Sequence, residues 1–159
     1  MIVKPSDFQG ELSIGQVEHP DIAARVQLSI DKYEPLYLRK LLGNELATLL
    51  KTEYAKEEPE QKWRDLADKI KTPCTLYIYY NYVRGNVTLS TGVGEVLSKS
   101  ENAVNMPVID KSVSAWNEMV KHNHDFLSWV ESDTYPEYDR KLHCCRDSDM
   151  CRMINAFGI

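Results

Sequence analysis

The sequence predicts a mainly α fold, a compact bundle of about five helices with a small protruding β-hairpin between the two longest. Apolar residues recur at helical spacing along most of the chain, proline, threonine, asparagine and glycine mark starts and stops, and a glycine-spaced polar stretch breaks the pattern at residues 90–106. The whole chain, 1–159, reads as a single domain.

The opening MIVKPSDFQGELSIG contains Pro5, Gly10 and Gly15 and lacks a periodic pattern. It reads equally as an extended arm over residues 1–15, packed on a neighbouring copy, or as a terminus folded back on its own core. Pro20-Asp21 then introduces Ile22, Val26, Ile30 and Tyr33 at helical spacing. Pro35 is expected to interrupt before Leu36–Leu42, Gly43 to stop that segment, and Asn44 to cap a further helix through Tyr54, with Leu46, Leu49 and Leu50 on its buried side. An acidic break containing Pro59 follows. Trp63, Leu66, Ala67 and Ile70 define another short amphipathic helix.

Thr72-Pro73 has the chemistry of a helix start, because threonine can cap free backbone donors and proline lacks only an N–H that the first turn does not use. The segment after it, TLYIYYNYVRGN, is rich in residues that favour strands. Its period decides for helix over Pro73–Thr88: Leu76, Tyr80, Val83 and Val87 share one face, beside a half-polar face of Tyr77, Asn81, Arg84 and Thr88. In residues 90–106, Gly92 and Gly94 flank Val93, the run Glu95–Lys99 follows, and a polar turn at Ser100-Glu101-Asn102 leads to Ala103-Val104. Two short strands joined by a turn fit this order. The GxG lacks the third glycine of a dinucleotide site and the lysine of a phosphate loop, so conformational freedom is its expected use. Pro107 opens a last helix to about Val130, with Ile109, Val113, Trp116, Val120, Leu127 and Val130 as its core stripe. Residues 131–159 form a C-terminal tail.

With 159 residues and 43% hydrophobic content, the chain can enclose one core. No repeat or low-complexity linker divides it. No apolar run approaches the roughly 18 residues that span a bilayer, and the N-terminus lacks a signal-peptide pattern, so a soluble protein made in the cytoplasm is expected. A net charge of −5 argues against a dedicated nucleic-acid binder. Even in residues 90–106, Lys99 is outnumbered by Glu95 and Glu101.

Chemistry candidates are few. His122-Asn123-His124-Asp125 spells the letters of a nuclease motif, but neighbours on a helix point about 100° apart and do not converge on one metal, so a solvated polar patch is expected. The tail holds His143, Cys144, Cys145 and Cys151, soft ligands sufficient for zinc. Adjacent cysteines do not match a C-x2-C knuckle and Cys74 lies far away, so reduced, partly buried thiols are the expected reading and zinc the minor one. No nucleophile motif or carboxylate pair is marked out for catalysis. A non-enzymatic protein without cofactor is expected.

Several blocks, MIVKPSDFQGELSI, IDKYEPLYLRKLLGNEL, YIYYNYVRGNVTLSTGVGEV, the SEN turn, SAWNEMV and the terminal INAFGI, together resemble a family of small phage and prophage proteins of gut bacteria. That family is similar in its helical layout to head–tail connector proteins of tailed phages, also called adaptor or head-completion proteins. The resemblance implies a structural virion protein forming a ring, commonly twelvefold, at the neck between portal protein and tail, with DNA passing through and neither sequence-specific nucleic-acid nor membrane binding. On that reading the contacts with other subunits come from the hairpin and the terminus, at Gly92, Val93, Gly94, Glu95, Val96, Lys99, Glu101, Asn102, Phe157 and Ile159. The alternative is a small phage-encoded metal-dependent enzyme or regulatory zinc protein using His143, Cys144, Cys145 and Cys151.

Overall fold

Pro20 begins a helix as expected, with His19 extended before it and Asp21 placing a negative charge in the first turn, where the helix dipole favours one. The computed structural model describes residues 1–15, 17–85, 88–91, 94–97, 108–130, 135, 136, 138 and 149–155. Among them are three α-helices: α1 (Pro20–Tyr54), α2 (Gln61–Gly85) and α3 (Val108–Val130). Short 3-10 turns lie at Pro5–Asp7, Gly10–Leu12 and Asp149–Cys151.

Three helices stand where about five were expected, because Pro35 and Pro73 do not act as boundaries and α1 continues past Gly43 across a kink. Pro35 lies inside α1 and Pro73 inside α2. Each leaves the carbonyl four residues earlier without its usual donor, a local cost of about 3 kcal/mol. Both are flanked by residues that bury side chains in the core: Ile30, Tyr37 and Leu38 around Pro35, and Ile70, Cys74 and Leu76 around Pro73. Burial of that size outweighs the lost bond. Thr72-Pro73 is therefore the middle of a 25-residue helix and not its start. Gly43 does break the path of α1. Its φ of 83° and ψ of 170° lie in a region open essentially to glycine alone, and the axis kinks there.

The helix α2 packs against α1 on one side and α3 on the other. That position explains why residues 73–79 are buried without interruption, where a single apolar face was expected. Tyr80 and Val83 of the expected face are only partly buried. Tyr77 becomes a junction of the three helices, its ring 6.3 Å from Tyr33 and 5.5 Å from Tyr37 of α1, and 6.2 Å from Trp116 of α3.

Of the two readings of the first fifteen residues, the folded-back one describes the structure. Ile2, Val3, Phe8 and Ile14 belong to the same buried core as the helices. Asp7 pairs with Lys71 of α2 at 2.9 Å, and the backbone N–H groups of Ile2 and Val3 donate to the Glu34 carboxylate at 3.1 and 2.9 Å.

Between α2 and α3, Thr88–Thr91 (β1) and Gly94–Leu97 (β2) pair antiparallel, with Thr88 opposite Leu97 and Thr91 opposite Gly94. The turn expected at Ser100-Glu101-Asn102 and the strand expected at Ala103-Val104 lie outside the described residues. No helix among the described residues is long and apolar enough to cross a membrane.

Candidate functional site

Two places on α3 gather polar side chains, and they differ in whether those groups are satisfied. The first is the face bearing Trp116, Asn117, Asn123 and His124. Residues seven apart on a helix lie nearly in line, so these two adjacent pairs form one strip. The strip holds the main chain of residues 150–154. Trp116 Nε1 donates to the Arg152 carbonyl at 2.8 Å. Asn117 is bidentate, accepting from the Ile154 N–H at 2.8 Å and donating to the Ile154 carbonyl at 3.0 Å. Asn123 Nδ2 donates to the Met150 carbonyl at 2.8 Å, and its Oδ1 accepts from the Tyr37 hydroxyl at 2.6 Å. His124 Nε2 lies 3.3 Å from the Cys151 carbonyl.

The expected solvated patch at His122–Asp125 is corrected accordingly. His124 and Asp125 are exposed, but Asn123 is 0% exposed and joins α1, α3 and the tail. A buried amide is kept only where its donors and acceptors are paired, which is the case here. The signal in the sequence was the asparagine itself, three residues after Val120 and four before Leu127 of the apolar stripe.

The tail also changes the cysteine reading. Cys74 is free and buried, as expected of a reduced thiol. Burial and the nearby Glu34 charge push its pKa well above the ordinary thiol range. Cys151 is disulfide-bonded, where a reduced thiol was expected, and in that state it offers no thiolate to a metal. His143, Cys144 and Cys145 lie outside the described residues. No group of three or more potential metal ligands forms among those described.

The second place is a cleft of about 570 Å³ between the Gln9–Leu12 loop, α2 and α3. Leu12, Leu76, Tyr79 and Ala115 give it an apolar floor, and Glu11, Thr72, Lys111 and Glu118 stand around it. The α3 side of the cleft includes the small residues Ser114 and Ala115, and the α2 side includes Leu76. Tyr79 is 4% exposed, and burial raises its pKa, so its hydroxyl is a neutral donor at ordinary pH. Nothing in the sequence separated Tyr79 from the other tyrosines of its run.

Of the residues expected at a contact surface, Gly94, Glu95 and Val96 lie in β2. Gly92, Val93, Lys99, Glu101, Asn102, Phe157 and Ile159 lie outside the described residues. No known protein family, curated protein or solved structure matches the chain.

Proposed function

We propose that this chain is a structural virion protein, a head–tail connector that forms a closed ring at the phage neck around the DNA path. The observation that carries the reading is the placement of the β1–β2 ribbon. It is inserted between α2 and α3, and its packing is chiefly between its own two strands, whereas α2 packs along both other helices. A ribbon whose backbone contacts are chiefly between its own strands is suited to contacts outside the subunit, as loops on rigid scaffolds commonly are. On this proposal it protrudes as a hairpin toward neighbouring copies, portal protein or other neck and tail proteins. A closed ring, twelvefold where it matches the portal, requires a heterologous interface that returns on itself. A net charge of −5 suits a conduit through which DNA passes without adhering.

Deleting Thr91–Asn102 tests the reading. The expected outcome is an isolated subunit that unfolds at nearly the same temperature, together with a loss of ring formation and particle completion. A deletion that unfolds the subunit places the segment in the core, and one that leaves assembly intact removes the proposed interface; either result overturns the reading.

A further inference from the structure

We infer that the cleft between the Gln9–Leu12 loop, α2 and α3 binds a short zwitterionic, peptide-like ligand, with cationic and anionic groups about 10 Å apart on an apolar body. This rests on the cleft alone and not on the connector reading. The starting point is Tyr79. Exposed polar side chains are solvated, and their lack of protein partners is ordinary. Tyr79 is different, because it is 4% exposed and lines the cleft while its hydroxyl makes no hydrogen bond among the described residues. The Tyr79 side chain lines the cleft, and its hydroxyl is not fully buried. Buried phenols ordinarily find an acceptor, and a ligand carbonyl would supply one.

The charges define the rest of the ligand. Lys111 and Glu118 are exposed and both line the cleft, on the side formed by α3. Seven residues apart on α3, they stand about 10 Å from each other along one face. A purely anionic ligand meets Glu118 and Glu11, and a purely cationic one meets Lys111. A dipolar ligand satisfies both ends. An extended tripeptide spans about 10 Å between its termini and presents carbonyls between them. Its central side chain would rest on Leu12, Leu76 and Ala115. The cleft volume of about 570 Å³ lies within the range typical of small-ligand pockets.

The tripeptide Ala-Phe-Ala with free termini is the probe, titrated into the full chain while the Tyr79 ring is followed by NMR. A saturable Tyr79 shift is expected below about 10 mM. Lys111→Gln and Glu118→Gln should each weaken binding about two- to fivefold, as for single exposed charge pairs. Tyr79→Phe should weaken it about fivefold through loss of one hydrogen bond. Ser114→Trp, a change at an exposed position of the cleft wall, should abolish binding without disturbing the core. Absence of saturation, equal binding of the peptide blocked at both termini, or binding that Ser114→Trp leaves unchanged would each overturn the inference.

Discussion

Glu34 is a carboxylate 2% exposed in the middle of α1, and it is there because it completes the opening of the chain. One of its oxygens accepts from two successive backbone N–H groups, Ile2 and Val3, that face the core and would otherwise be unpaired. Glu34→Ala leaves both donors buried without an acceptor. Each such loss costs about 1–3 kcal/mol, so the variant should lose about 2–6 kcal/mol in urea unfolding. Glu34→Gln keeps an acceptor oxygen and should lose less than half as much. Equal losses for the two variants would show that packing and not the acceptor matters. The residue was legible in part. Glu34 falls on the face shared by Ile30, Tyr37 and Leu38, so a buried charge could be suspected from spacing, but its partners lie 31 and 32 residues away and no local pattern points to them.

At the scale of elements, α1 shows which local signals hold and which yield. Gly43 was expected to stop a helix and does break one, because its backbone takes a conformation that side chains oppose regardless of surroundings. Pro35 and Pro73 were expected to act likewise and do not, because a missing N–H is a fixed local cost that burial on both sides can exceed. Gly43→Ala should therefore destabilise the protein by about 1–3 kcal/mol, although alanine is the better helix former. The kink directs Leu46 and Leu50 into the core that Leu38 and Leu41 also enter, so straightening the helix would misdirect them. Unchanged or increased stability in denaturant unfolding would show that the kink is dispensable. The start and end of α3 were legible from Pro107 and the apolar stripe. The strip that holds the tail was not, because its acceptors are main-chain carbonyls that any sequence possesses.

For the whole molecule, the tyrosine-rich core sets a limit at high pH. Burial raises the pKa values of Tyr37, Tyr77 and Tyr79, and burial with the Asp65 charge pushes Tyr135 up to about 12. Cys74 is raised in the same direction. These groups are neutral when folded, but in the unfolded chain the thiol and phenols ionise near 9.0 and 10.0. Between those values and the folded ones the unfolded chain holds fewer protons, so stability falls as pH rises. Their contribution is complete below about pH 9 and is lost progressively toward about pH 12. Helical circular dichroism followed across an alkaline titration should show one cooperative loss centred above about pH 10, with release of more than one proton. A midpoint below about pH 9 would show that other groups govern alkaline unfolding.

The hold of α3 on residues 150–154 has a consequence for how this chain can change over generations. Trp116, Asn117 and Asn123 grip peptide groups, which every amino acid except proline presents alike, while the side chains of Arg152 and Met153 are exposed. Mutational freedom is thereby divided unequally between the two halves of one contact. The gripping residues admit few replacements, whereas Arg152 and Met153 are free to drift without loosening the segment that carries them.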